Sequence, residues 1–139
     1  MEYIWSALGC LPEAAKQIRT EVFIQEQGFA DEFDDLDACS YHVLQRQDGT
    51  DIGTARIFWE SDRRTMHIGR VAVLKAARGG RGSMLLSACE RKAKQLGAQR
   101  VILGAQCRAR KFYEQNGFRA FGACFDDQGC PHQMMEKML

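Results

Sequence analysis

The order of apolar patterns along this chain predicts one α/β domain of the mixed, α+β kind: a largely antiparallel sheet that carries three helices. Three observations predict it. The chain has 139 residues, and at about 100 to 200 residues per domain that is one domain, residues 1–139, able to bury about 68% of the surface its unfolded chain exposes. Short runs with apolar residues at every second position fill much of the chain up to Leu74, and from Gly82 the spacing changes to every third and fourth position. The resulting order is β, α, three β, α, β, α, two β. It contains a strand–helix–strand unit whose strands must run parallel with a right-handed crossover.

Taken in order, residues 3–8 read as the first strand. Pro12 stands where a helix begins, because its missing N–H costs nothing at the first helical position. Ala15, Ile18, Val22 and Phe23 then recur at helical spacing, so one helix is expected to run until just before Gly28. Residues 31–37 are acidic but lack the glycine and the terminal glutamate of a calcium loop, so a solvated loop is expected. Strands follow at 40–46, 52–59 and 65–74. They are joined by Asp48-Gly49, a strong two-residue hairpin signal, and by the polar Ser61-Asp62-Arg63-Arg64. The helix at 82–96 carries Leu85, Leu86, Cys89, Ala93 and Leu96 on one face and stops at Gly97. A buried strand at 100–105, a short helix at 108–115 closed by Asn116-Gly117, and strands at 118–125 and 132–138 complete the chain.

Composition excludes several function classes. With 45% hydrophobic and 27% charged positions and two prolines, the chain is neither a disordered tail nor a Pro-rich linker. A net charge of +1 argues against nucleic acid as main partner, since phosphate neutralisation needs a basic stripe. No apolar run approaches the ~20 residues of a membrane span, and the opening MEYIWSALGC lacks the pattern of a secretory signal, so a cytoplasmic protein with no membrane partner is expected. The six cysteines form no C-x-x-C pair and are expected to be mostly buried thiols. Cys39 with His42, and Cys130 with His132, are pairs able to donate to a metal. Each lacks a second pair at ligand spacing, so no metal is expected.

The most informative stretch runs from the apolar Arg70-Val71-Ala72-Val73 through Arg78-Gly79-Gly80-Arg81-Gly82-Ser83 into a helix. Glycines let the backbone turn with its N–H groups facing inward, and with the positive end of the helix dipole these make an anion site suited to a pyrophosphate. The lysine of a P-loop is missing, and the preceding meander does not supply the βαβ context of a dinucleotide fingerprint.

This combination resembles the GNAT superfamily of acyl-CoA-dependent N-acyltransferases, whose signature is a strand, then R-G-x-G-x-G or Q/R-x-x-G-x-G/A, then a helix. The resemblance extends to Ile18-Arg19-Thr20-Glu21-Val22-Phe23 with Glu26-Gln27, to His67-Ile68-Gly69-Arg70-Val71-Ala72-Val73, to Ala105-Gln106, to Phe112-Tyr113-Glu114-Gln115-Asn116-Gly117-Phe118 and to Gly129-Cys130-Pro131-His132. These look like the small single-domain bacterial branch that includes glyphosate N-acetyltransferase. One departure is the loop, a residue shorter than the usual R-G-K-G-I-G-S, so the pyrophosphate cradle is expected to differ in tightness.

The resemblance implies a sheet of six to seven strands splayed in the middle, with helices on both faces. It implies acetyl-CoA as cosubstrate, held between strands 71–73 and 100–105. Backbone groups of Val71 and Val73, flanking Ala72, would pair with the pantetheine amides, while Arg78, Gly79, Gly80, Arg81, Gly82 and Ser83 hold the pyrophosphate and Gln106 serves the pantetheine arm. Direct transfer to an amine needs a base and an acid on opposite sides of the thioester carbonyl. Tyr113 matches the family's acid, and either His132 or His67 is apt as base; some members relay the proton through water. Arg19, Arg56 and Arg70 are candidates for an anionic group on a small-molecule amine substrate, and the acidic segment for a cationic one. A homodimer is compatible with the family. A non-catalytic acyl-CoA-binding or sensor module on the same fold is the alternative.

Overall fold

The computed structural model describes residues 1–30 and 32–139. Strand β1 (Glu2–Trp5) pairs antiparallel with β2 (Tyr41–Gln47), which continues through β3 (Thr50–Trp59) to β4 (Thr65–Val73) as a meander. Asp48 and Gly49 take φ of +51° and +78°, the left-handed pair that the tight β2–β3 hairpin needs. Helix α2 (Arg81–Gln95) follows α1 (Glu13–Arg19) in the chain and carries it from β4 to β5 (Arg100–Gln106), parallel to β4. After α3 (Arg110–Gln115), β6 (Arg119–Asp127) turns back into β7 (Cys130–Met138), and β7 inserts between β5 and β6. The seven-stranded sheet therefore has the order β1-β2-β3-β4-β5-β7-β6.

Both faces are covered, because side chains alternate across each strand. Val43, Ala55, Ile57, Met66 and Ile68 pack under Leu85, Leu86 and Cys89 of α2. Leu44, the next residue on β2, joins Ala72 beneath Ala15 and Ile18 of α1.

Three expectations are corrected. The first strand ends at Trp5 rather than at residue 8, since the chain turns through a Cys10 N–H to Ala7 carbonyl bond. The first helix is α-helical only to Arg19. From Thr20 to Glu26 it widens to π pitch, with the Gln27 N–H bonded to the Val22 carbonyl five residues back. This extra residue per turn holds Val22 in the core while Phe23 and Gln27 face a cavity. Of the six cysteines only Cys89, on the inner face of α2, is buried; Cys107 and Cys130 are half-buried, and Cys10, Cys39 and Cys124 are exposed.

The feature that positions the site is a split in the sheet. β4 and β5 pair only through Thr65–Arg100, Met66–Val101 and His67–Ile102. Beyond that point β4 stays with β3 and β5 stays with β7, so the two strands diverge and their facing edges lack strand partners.

Candidate active site

The split opens into a cavity of about 280 Å³ whose walls include Phe23, Gln27, Ile68, Val71, Leu103, Tyr113 and His132. A second cavity of about 370 Å³ adjoins it toward the glycine loop, lined by Val71, Ala72, Val73, Arg78, Gly79, Gly80 and Gly82. Gln27, Val71 and Tyr113 line both. Of the residues expected to hold an acyl-CoA or act on its acyl group, Val71, Ala72, Val73, Arg78, Gly79, Gly80, Gly82, Gln106, Tyr113 and His132 line these two adjoining cavities, whereas Arg81, Ser83 and His67 do not.

Val71 reaches this junction because β4 is bulged. Arg56 pairs with Gly69 and Thr54 with Ala72, so Arg70 and Val71 together oppose Ala55. Arg70 sits at φ +52°, which is unfavourable for a residue with a side chain. Its guanidinium is tied down: Nε lies 2.8 Å from Glu32 Oε1 and 3.0 Å from the Glu32 carbonyl oxygen, and Nη2 donates to Asp34 at 3.1 Å.

These carboxylates also correct the expectation of a solvated acidic loop; Asp31 itself lies outside the described residues. Glu32 is 3% exposed. Arg19, at 1% exposure, donates Nε to both Glu32 carboxylate oxygens at 2.9 Å and Nη1 to Asp37 at 2.8 Å. Arg56 donates Nη1 to Asp34 at 2.6 Å and to Asp37 at 2.9 Å. The hydrogen bond from Arg56 holds the Asp34 carboxyl below its ordinary range. Burial pushes Asp37 the other way, yet the bonds from Arg19 and Arg56 prevail and lower it too. Buried charges persist only when paired. Arg19 and Arg56 are therefore committed internally and offer no free guanidinium to a substrate; of the three, only Arg70 lines the cavity.

The glycine loop turns sharply into an uncapped helix start. Gly79 and Gly80 take φ of +117° and +85°, and α2 starts at Arg81 with no side chain capping its first N–H groups. Arg78 donates Nε to the Val73 carbonyl and its two terminal nitrogens to Glu26, both at 2.7 Å. Arg81 turns to Gln47 and to the Gly79 carbonyl, and neither Arg81 nor Ser83 lines the cavity. Gln106 donates to Gln27 at 2.9 Å, across the mouth of the split.

The two histidines are separated. His132, 8% exposed, lies on the cavity wall, its Nδ1 2.8 Å from the Cys130 carbonyl oxygen and its ring stacked on Phe125. A carbonyl only accepts, so Nδ1 carries the hydrogen and Nε2 of the neutral ring keeps its lone pair. His67 stacks on Phe58 and bonds Glu60 at 3.0 Å, away from the cavity lining. Tyr113 packs edge-on against Phe112 and Phe118, and burial pushes its phenol up to about 12.

Sequence reasoning missed Glu32 and Gln27 as cavity residues. A signal that the acidic segment turns inward existed: Arg56 is the one charge in the strand Ile52–Trp59, and a buried charge there requires an opposite charge nearby, which Asp34 and Asp37 supply.

A splayed sheet of this order, with a glycine-rich entry to the crossover helix, defines an acyl-CoA acyltransferase type of fold. Residues 10–139 match the family model of the acetyltransferase (GNAT) domain, and the chain belongs to the GNAT acetyltransferase family. It is 34% identical to the uncharacterized N-acetyltransferase YjcF of Bacillus subtilis over 124 residues, 86% of this chain and 87% of that protein. Among solved structures it is similar to an acyl-CoA N-acyltransferase from Pseudomonas aeruginosa (TM-score 0.86, 28% identity, 99% of each chain) and to Escherichia coli ElaA (TM-score 0.83, 29% identity, 98% of each chain).

Proposed function

We propose that this acetyltransferase moves an acetyl group from acetyl-CoA directly to a primary amine of a small molecule, with His132 as base and Tyr113 as acid. One relationship carries the reading: His132 lines the same cavity as Tyr113 and Val71, with its Nδ1–H bonded to the Cys130 carbonyl and Nε2 left basic. A cavity near 280 Å³ suits a small acceptor rather than a macromolecule.

The chain's own groups fit the cosubstrate. The β4 edge at Val71 to Val73 has free backbone groups for the amides of a pantetheine arm, and the uncapped start of α2 with Gly79, Gly80 and Gly82 suits a pyrophosphate. Bound there, acetyl-CoA supplies a thioester whose carbonyl carbon accepts the amine. His132 Nε2 takes the proton that the nitrogen loses as the N–C bond forms. Tyr113 Oη gives its proton to the sulfur as the C–S bond breaks, and exchange with solvent resets both side chains. Its raised pKa keeps the phenol protonated throughout the neutral range.

Release of CoA from acetyl-CoA over a panel of primary amines tests this. At least one amine is expected to give turnover that His132→Asn lowers about 10²- to 10⁴-fold. Binding of acetyl-CoA without turnover on any amine would overturn the catalytic reading.

A further inference from the structure

The cavity that holds His132 presents two charges that the protein leaves uncompensated. Among the described residues, the charged side chains on its wall are Glu32, Arg70, Arg108 and Asp127. Glu32 and Arg70 neutralise each other in their 2.8 Å ion pair. The network behind them balances as well, with Arg19, Arg56 and Arg70 set against Glu32, Asp34 and Asp37. Arg108 and Asp127 have no ion pair among the described residues.

Arg108 is held in a defined direction. It lies in the short turn between β5 and α3, and it lines both this cavity and a neighbouring one of about 440 Å³. Its Nε donates to Gln106 Oε1 at 2.7 Å, and Gln106 Nε2 donates to Gln27 Oε1 at 2.9 Å. This relay crosses the split and fixes the guanidinium through Nε, while Nη1 and Nη2 have no acceptor among the described residues. The Glu26 carboxylate, which feels the Arg108 charge, is taken at both oxygens by Arg78. Two parallel N–H groups in one plane match the two oxygens of a carboxylate. Topology puts the two charges on either side of the proposed base. His132 is on β7, between β5 and β6. Its register partner on β5 is Gln106, two residues before Arg108. On β6, Asp127 shares a face with Phe125, whose ring stacks on His132.

We propose that the acceptor is a zwitterionic amine of the amino-acid class, its carboxylate received by Arg108 and its ammonium end drawn to Asp127 beside His132; this rests on the acetyl transfer proposed above. One guanidinium matches one negative charge. A dianionic phosphate ester sets its second charge against Asp127, and a polyamine sets its cations against Arg108, so the same two residues select against both. Arg108 is thus a specificity-determining residue, aimed by Gln106 and Gln27.

The test begins with binding, on the full chain saturated with CoA so that no transfer occurs. It is titrated calorimetrically with the common L-amino acids, with the methyl ester and the decarboxylated amine of each, and with phosphoethanolamine. At least one amino acid is expected to bind about 10- to 100-fold tighter than its ester and its amine, and tighter than phosphoethanolamine. Arg108→Ala should erase that preference and Arg108→Lys restore only part of it, with the melting-temperature rise caused by CoA unchanged in both. Asp127→Asn should weaken the amino acid but not its N-acetyl derivative. Failure of every amino acid to bind, equal binding of acid and ester, tighter binding of phosphoethanolamine, or a preference that survives Arg108→Ala would each overturn the proposal. CoA release from acetyl-CoA is read separately: preference without turnover defeats the transfer reading alone, and turnover of decarboxylated amines with no preference for the acid defeats the zwitterion proposal alone.

Discussion

Arg70 and Glu32 are joined twice, by a 2.8 Å ion pair to Oε1 and a 3.0 Å hydrogen bond to the Glu32 carbonyl, and the arginine so held is the one that carries the positive φ of the β4 bulge. Backbone strain persists only where the surroundings over-determine it. Here a buried carboxylate, itself gripped by Arg19, fixes the turn that sends Val71 to the junction of the two cavities. Glu32→Ala, which strands Arg19 and Arg70, is expected to lower stability by about 3–5 kcal/mol, with Glu32→Gln milder because its carbonyl oxygen still accepts. Urea unfolding of the two variants measures this; equal stability of Glu32→Ala and the parent would show that the clamp is dispensable.

Tyr113→Phe removes the proposed acid and keeps the ring between Phe112 and Phe118. Turnover should fall about 10²- to 10⁴-fold while the melting-temperature rise caused by acetyl-CoA stays near that of the parent. A loss of that rise in the variant, with turnover unchanged, would assign Tyr113 to binding instead.

Gly79 at φ +117° occupies a backbone region that other residues avoid, although little lies around the position of an added Cβ. The strain of Gly79→Ala is therefore conformational, of about 1–2 kcal/mol, and is relieved by reshaping the loop. Weaker CoA binding with the sheet intact is expected by calorimetric titration; unchanged affinity would mean that the loop does not cradle the pyrophosphate.

Acid stability should fall in two stages. Burial holds His42 below its ordinary 6.5, against the neighbouring Asp37 carbonyl and carboxylate and with Arg19 and Arg56 adding to the depression. Burial likewise lowers His67, against Glu60. A histidine with a depressed folded-state pKa binds fewer protons folded than unfolded. Its contribution is present above 6.5 and is lost as pH falls through the folded value. Asp34 and Asp37, both lowered, add a second loss below 3.8. The urea midpoint should hold near neutrality and drop through both windows, and His42→Asn should shrink the first drop. A midpoint that rises on mild acidification would contradict this.

Much of the fold was legible because its signals are local. The Asp48-Gly49 turn, the α2 stripe closed by Gly97, and the parallel β4–β5 pair that α2 imposes all rest on nearest-neighbour chemistry. The π-pitched turn at Thr20–Glu26 was not, because Val22 and Phe23 fit an α-helical stripe and the extra residue shows only against the cavity. The acidic segment misled for a related reason. Composition reads Glu32, Asp34 and Asp37 as solvated, and only the fold brings Arg19, Arg56 and Arg70 to them. In the site, the glycine loop and Tyr113 were visible as motifs. Which histidine reaches the cavity was not legible, because only the fold shows that His67 sits where β4 and β5 are still paired while His132 lines the cavity wall.

The most direct test of the account is the melting temperature with saturating acetyl-CoA, CoA and ATP measured in parallel. A ligand at about 100 times its Kd adds about 2.7 kcal/mol, several degrees for a domain of this size. The account predicts that rise with acetyl-CoA and CoA and none with ATP. No rise with any of the three would contradict the central claim that the cleft between β4 and β5 holds an acyl-CoA.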